Sequence, residues 1–420
     1  MSVLKVIYSY LEEIKNGERS FQRLINKGLK EFSQEESFII KDSLKSIVNR
    51  YYFLSWELNK IFPVEDLLLK DYLICALGQY HYVNNITEEQ ILSFLNEDLN
   101  DFDQKISSDE FYQKMIGLGG SIYPISEKEN SILVKRLAIN YAYPEWVCKM
   151  ISKHFGFKKA YKAIASSRKS IKLALKVNTF LTNSEDLTSK YPALFEKGKL
   201  SEDTVRYIGK EKLIELDQFK NNLVFVEDEA SQLLVKKLSL EINDTCLLVN
   251  EERGALAIDM AMNMKDVGQI HVSTKNIVDS NGVKALANRF KIHALDVFDS
   301  TISQLITHVE TESCDKVLFI ADSSSLGLVR RKPDVLLTLK RENLDSIISN
   351  QKEQLSEVSK FVKNGGLLEY AVFTYSRKES KEIIDDFLKN NTEFSLVEDR
   401  QIFTYEAPSD GVYYALLKRN

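Results

Sequence analysis

Four cysteines and one long run of lysines are the groups in this chain whose types and spacing bear most directly on chemistry. Cys75, Cys148, Cys246 and Cys314 lie far apart, with no Cys-x-x-Cys pair and no metal-ligand spacing. Neither a disulfide framework nor a metal site is indicated. Between Trp146 and Asn183 there is no acidic residue, while Lys149, Lys153, Lys158, Lys159, Lys162, Arg168, Lys169, Lys172 and Lys176 fall within that stretch. A second basic knot is Arg330, Arg331 and Lys332. Such a field suits either phosphate binding or the solvated face of a helix, and charge alone leaves both open. The net charge of −5 does not advertise a polyanion partner, so the distribution carries the signal. The acids gather elsewhere, as in the run from Asn96 to Asp103.

The elements that must position these groups fall into three parts. The chain has 420 residues, 44% hydrophobic and 28% charged, which is ordinary for a globular protein and long enough for two or three domains. From about 1 to 125 apolar residues recur at three- and four-residue steps, as in LKVIYSYLEEI and IVNRYYFLSWELNKIF, and predict an all-helical bundle. KDYLICALGQYHYV is apolar nearly all round and reads as a central helix, and Thr87 opens another with acids in its first turn. The helical period stops at Gly117–Glu129, where a domain boundary is expected. Residues 130–235 read as a mixed connecting domain: a helix from Pro144 to Gly156, the strand-like KLALKVNTF, and a helix in EDEASQLLVKKL.

Residues 236–420 alternate strand and helix. TCLLVN, QIHVST, KIHALDV, DKVLFIAD and GLLEYAVF are short apolar strands with helical stretches between them, which predicts an α/β, doubly wound parallel sheet. A ligand then sits at the carboxyl ends of the strands. The amino terminus is an amphipathic helix rather than a signal sequence, and no apolar run reaches membrane-spanning length, so a cytoplasmic protein without a membrane partner is expected.

A series of short strings, in order, resembles the RsmB-like branch of the Sun/Nol/Nop RNA cytosine-5 methyltransferases. YAYPEWVCKMISKHFG is similar to that family's Ser-x-Pro-x-Trp segment, with Ala142 at the Ser. LALKVNTF resembles its Leu-Arg-Val-Asn strand, with Lys176 for Arg, and FVEDEASQLLV its Gln-Asp-Glu-Ala-Ser-Gln string, with Glu227 for the first Gln. DKVLFIADSSSLGLVRRKPD has the frame of its Asp-Ala-Pro-Cys-Ser-Gly loop followed by Arg-Arg-x-Pro-Asp. NGGLLEYAVFTYSRKES sits where the family has Gly-Gly-x-Leu-Val-Tyr-Ser-Thr-Cys-Ser, and PSDGVYYALLKR resembles its closing Thr-Asp-Gly-Phe-Phe segment. The resemblance implies a NusB-like helical domain, a small mixed α+β domain facing RNA, a Rossmann-like methyltransferase domain, S-adenosylmethionine as cofactor without a metal, and ribosomal RNA of the 16S type as partner.

It also implies a chemistry that this chain lacks the groups to perform. In the family a cysteine thiolate adds to carbon 6 of cytosine and makes carbon 5 nucleophilic toward the methyl group, and a second cysteine assists product release. The first position is Phe373, the second is Ser323, and the family's Asp that faces the base is Ile320, with Asp322 two residues on. Cys246 and Cys314 lie on or before strands, away from the expected site, and read as structural thiols. Of the glycine-rich turn after the first strand only Gly254 remains, Leu256 stands at its Lys, and Thr274 stands where a carboxylate holds the ribose. Asp296 is retained after the third strand and reads as a loop carboxylate in preference to a cofactor ligand.

The expectation is therefore an RNA-binding pseudo-methyltransferase that grips phosphate with the basic residues named above, including Arg330, Arg331 and Lys332. Two other readings stay open: an active S-adenosylmethionine-dependent enzyme with a divergent site, and a protein-interaction scaffold built on the helical domain. The sequence says nothing of the target nucleotide or of oligomeric state.

Overall fold

The structure is a computed structural model that describes residues 2–27, 29–84, 86–117, 126–127, 131–170 and 172–420. The boundary expected at Gly117–Glu129 lies, apart from residues 117 and 126–127, outside the described residues. The chain forms two compact units: Met1–Arg168 with Arg331–Lys340, and Lys169–Arg330 with Arg341–Asn420.

The first unit is helical. Its helices are Val3–Lys15, Phe21–Lys27, Gln34–Ile61, Leu67–Tyr82, Glu88–Asp98, Ser108–Ile116, Leu133–Tyr141, Glu145–Phe155 and Phe157–Ser167. Side chains start several of them: Ser33 with Glu36 and Thr87 with Gln90 form reciprocal capping boxes, and Asp66 accepts the N–H of Leu68 and Leu69. Helix Leu67–Tyr82 is central, with Tyr72, Leu73, Ile74, Cys75, Ala76 and Leu77 all without exposed surface. Its lack of a polar side is what the sequence displays. The short segment Arg331–Lys340 completes this core. Leu337 packs into it, Asp334 accepts the N–H of Phe21 at 3.1 Å, and the Tyr52 hydroxyl donates to the Leu336 carbonyl at 2.8 Å.

The second unit holds two sheets. β1 (Ala174–Val177), β2 (Phe195–Lys197), β3 (Thr204–Tyr207) and β4 (Val224–Val226) form an antiparallel sheet in the order β2-β3-β1-β4. The larger sheet is built from β5 (Thr245–Val249), β6 (Gln269–Thr274), β7 (Leu295–Asp299), β8 (Cys314–Ile320), β9 (Val362–Val372), β10 (Phe394–Ile402) and β11 (Val412–Arg419), in the order β10-β11-β9-β8-β5-β6-β7. β5 to β9 are parallel, and β11 and β10 add antiparallel strands at one edge.

Alternate residues of each central strand serve opposite layers. Cys246 and Leu248 pack with Ile258, Met260 and Val283 on one face, whereas Leu247 and Val249 pack with Leu355, Val358 and Ile384 on the other. Helices therefore cover both faces, which accounts for the continuous apolar runs that parallel strands need. β7 begins only at Leu295, because Lys291, at φ 56°, ends the preceding helix in a left-handed turn. β10 carries Glu398, Asp399 and Arg400 in succession, and these hide it from a reading of apolar runs.

Two loops of this unit meet backbone to backbone. The Gly411 N–H donates to the Gly327 carbonyl at 2.9 Å, and a Cβ on Gly327 would fall 1.8 Å from the Gly411 carbonyl oxygen. Gly282, by contrast, lies in helix Ile277–Phe290 with nothing within 4 Å of a built Cβ. Gly327→Ala is expected to destabilise the fold by about 3 kcal/mol or more. Gly282→Ala should stabilise it by up to about 1 kcal/mol. Denaturant unfolding of the two variants checks both signs.

Candidate functional site

In the larger sheet the strand order reverses between β5 and β8. At such a switch point the loops leaving adjacent parallel strands diverge and open a crevice at their carboxyl ends. Here the loops after β5, β6 and β8 converge on that place, with the loop after β9 beside them.

The loop after β5 is closed by its own side chains. Asn250, at φ 66°, donates from Nδ2 to the Ile320 carbonyl at 3.0 Å and so ties the ends of β5 and β8 together. The Glu251 N–H continues the ladder to Ser273 on β6 at 3.1 Å. The buried Glu251 carboxylate accepts the N–H groups of Arg253 and Gly254, both at 2.7 Å. Those donors open helix Ala255–Asn263, and Gly254, at φ 84°, makes the turn into it. Burial raises the Glu251 carboxyl above its ordinary value, against the opposing pull of these N–H bonds. Beyond β6, Lys275 forms an ion pair with Asp322 of the loop after β8, so the pair bridges the two strands that flank β5.

The positions that the resemblance would make catalytic are occupied by packing. Ile320 and Phe373 are partly buried against the apolar layer that contains Ile258 and Leu318, as is Leu256. Ser323 donates to the Phe373 carbonyl at 3.4 Å and accepts the Ser325 N–H at 3.0 Å. The neighbouring loops are joined by a buried network: Ser324 Oγ lies 2.8 Å from Thr374 Oγ1, and Glu379 accepts both the Ser324 N–H at 2.7 Å and the Thr374 hydroxyl at 2.8 Å. All four thiols are buried. Cys246 is the second residue of β5 and Cys314 the first of β8, at the end of the sheet opposite the crevice, and burial pushes the Cys314 thiol up to about 11. Among the described residues no cluster of three or more histidine, cysteine or acidic side chains is arranged to hold a metal.

S-adenosylmethionine needs free backbone donors for its methionine part and an acceptor pair for its ribose hydroxyls. Here the turn donors are taken by Glu251. The Thr274 hydroxyl is buried and donates to the Phe298 and Asn276 carbonyls at 3.3 and 3.2 Å. Asp296 is not in the loop after β7, where the sequence suggests it; it lies inside that strand and meets His271 Nδ1 at 3.1 Å. The acid at the carboxyl end of β7 is Asp299, which sequence reasoning misses by ending the strand too early. The residues present do not fit this cofactor.

The basic residues divide by burial. Lys149, Lys153, Lys158, Lys159 and Lys162 are exposed in the helical unit, as are Arg331 and Lys332; Lys169 and Lys172 are exposed in the second unit. Lys149 pairs with Glu145 at 2.6 Å and Lys172 with Glu196 at 3.0 Å. Three residues serve the fold instead. Arg168 donates to the Tyr141 and Ala142 carbonyls, both at 2.8 Å, and so caps the end of helix Leu133–Tyr141. Arg330 is half-buried and donates to the Thr404 carbonyl at 2.9 Å. Lys176 is 2% exposed, held between Asp259 at 2.7 Å and Asp203 at 3.1 Å. Period alone marks β1 as a strand, but both of its faces are buried.

The order of the larger sheet, its parallel strands and its antiparallel edge define the carboxyl-terminal part as a Rossmann-like methyltransferase domain. Residues 237–417 match the family described as 16S rRNA methyltransferase RsmB/F. The Bacillus subtilis (strain 168) protein called "Probable ribosomal RNA small subunit methyltransferase B" is 28% identical over 264 residues, which cover 62% of this chain and 59% of that one. The chain thus spans less than two thirds of that relative's length. Ribosomal RNA small subunit methyltransferase B of Proteus mirabilis (strain HI4320) is 23% identical over 325 residues, 72% of each chain. Among solved structures, PH0851 superposes with a TM-score of 0.76 over 99% of both chains at 18% identity. NSun6 from Pyrococcus horikoshii, crystallised with SFG, superposes at 0.60 over 66% of this chain and 98% of that one at 12% identity. At these identities the structures speak for the fold alone.

Close to Lys176 and Asp259 lies Glu227, the residue that replaces the family's Gln. It is 4% exposed, and among the described residues neither carboxylate oxygen has a hydrogen-bond partner. Burial pushes its carboxyl well above the usual range, and the charge of Asp259 adds to this, against the opposing pull of Lys176. A raised folded-state value means that stability is fully present below the ordinary glutamate value of 4.5 and falls as pH rises toward the folded-state value. Glu227→Gln should raise the unfolding free energy by about 1–3 kcal/mol at pH 7.5, the usual cost of a buried unsatisfied group. The gain should vanish near pH 4. Chemical denaturation at the two pH values measures the difference.

Proposed function

We propose that this chain is an RNA-binding pseudo-methyltransferase of the RsmB-like family that acts in ribosomal RNA maturation without transferring a methyl group. The observation that carries the reading is Glu251. Its carboxylate already occupies the backbone donors from which the turn after β5 would hold the methionine end of S-adenosylmethionine. Phe373 and Ser323, at the two cysteine positions of the family, agree with it, since neither side chain supplies a thiolate. The partner is ribosomal RNA of the 16S type, in keeping with the small-subunit RNA named for the relatives.

Contact with RNA falls to the exposed lysines of helices Glu145–Phe155 and Phe157–Ser167, with Arg331 and Lys332, and to Lys169 and Lys172 of the mixed domain. Phosphate contacts of this kind set affinity and orientation and read no sequence. The amino-terminal bundle acts as a NusB-like domain that adds RNA or protein contacts, and the protein works in the cytoplasm. Among the described residues no helix is long and apolar enough to cross a membrane.

Calorimetric titration of the folded protein with S-adenosylmethionine tests the reading. No heat at high micromolar ligand is expected. One-to-one binding would overturn it in favour of an active enzyme with a divergent site, to be followed by a methyl-transfer assay on ribosomal RNA.

A further inference from the structure

The helices Glu145–Phe155 and Phe157–Ser167 meet at Gly156, whose φ of 81° turns the chain between them. In the two helices the only acid is Glu145, paired with Lys149. Helix Phe157–Ser167 buries Ala160, Ala163, Ile164 and Ser167 and presents Lys158, Lys159, Tyr161 and Lys162 outward. Tyr161 is the anomaly on this face. It is 46% exposed, although a ring of its size gains from burial.

Tyr161 is also held in place. Tyr141 meets it edge to face at 5.9 Å between centroids and donates a hydroxyl hydrogen bond to its hydroxyl at 3.3 Å. Phe157 flanks it one helical turn earlier at 6.4 Å. A ring fixed in this way loses little conformational freedom when something lies on it. Lys158 stands three residues before it, on the same side of the helix, and Lys159 is exposed beside Lys158.

We propose that this face is a platform for single-stranded RNA, with Tyr161 as the ring on which a base stacks and Lys158 and Lys159 on the flanking phosphates. The proposal rests on the RNA-binding reading above and adds the form of RNA. An A-form duplex keeps its bases stacked inside and offers phosphates and 2′-hydroxyls to a protein, so it makes no use of an exposed ring. An unpaired strand offers a π-face at every base together with its phosphates, which is the combination this surface matches.

The test is fluorescence anisotropy of the full-length protein with a short labelled single-stranded RNA and with the same strand annealed to its complement. The wild type should bind the single strand more tightly. Tyr161→Leu should weaken that binding about tenfold and leave the duplex affinity and the salt slope unchanged, whereas Tyr161→Phe keeps the ring and the affinity. Lys158→Gln with Lys159→Gln should make the salt dependence shallower by about 0.7 for each phosphate that is no longer neutralised. Melting temperatures matched to the wild type keep the comparison free of folding effects. If Tyr161→Leu binds like the wild type, or if the duplex binds as tightly, the stacking platform is wrong while RNA binding stands. If the wild type binds neither RNA, the RNA-binding reading falls and the platform with it.

Discussion

A lysine buried between two carboxylates fastens the second unit. Lys176 lies on β1, the inner strand of the small sheet next to β3 and β4, and its ammonium reaches Asp259 on the helix that follows β5. Burial works against its charge, but Asp259 and Asp203 overcome that and hold Lys176 protonated, with its pKa raised to about 12. Removing one partner of such a pair would leave a charge stranded in the interior, at a cost of about 3–5 kcal/mol. The neighbouring contacts follow the same plan. Glu229 pairs with Arg206 and accepts the N–H groups of Lys199 and Leu200, and Gln232 accepts the Thr204 hydroxyl at 2.7 Å. Asp228 starts helix Glu229–Lys237 by accepting the Ala230 N–H and accepts the Asp410 N–H at 3.1 Å.

The family-like strings thus have work in the fold that is independent of any reaction. LALKVN supplies β1 and Lys176, DEASQ supplies the helix start and its bonds, and the Gly327 and Gly411 loops touch through backbone. The reactive positions show the reverse. Where chemistry would need a thiolate or a free donor, this chain has Phe373, Ser323 and a glutamate folded back on its own turn. On the proposed reading, the strings shared with the family serve the scaffold, and the departures fall where methyl transfer would need reactive groups.

Much of this scaffold is legible in periodicity. Apolar runs mark the parallel strands, and the all-apolar stretch at Leu67–Tyr82 marks a central helix. What periodicity does not carry is which way a charged side chain points. Arg168, Lys176 and Arg330 sit in basic stretches and look like their exposed neighbours, yet each binds a carbonyl or carboxylate inside the fold, because the partner comes from a distant segment. Asp296 and Asp299 are three residues apart, and only the pairing with β6, which sets Asp299 opposite Thr274, shows which one stands at the carboxyl end of the strand. β10 escapes notice because its charged positions break the apolar run, and an antiparallel edge strand tolerates that. Glu251 looks like one more exposed acid in a polar loop, and nothing local announces that it turns back onto two N–H groups.

The helical unit takes its final piece, Arg331–Lys340, from far along the chain. On a ribosome this bundle would emerge with a gap where Leu337 belongs and with no acceptor from Asp334 for the Phe21 N–H. Most of the other unit must be synthesised before the gap can close, so the usual order of domain-by-domain completion from the amino terminus does not apply. The first part made is among the last to be finished. A gene fragment cut after Arg168 would encode a bundle permanently missing one wall.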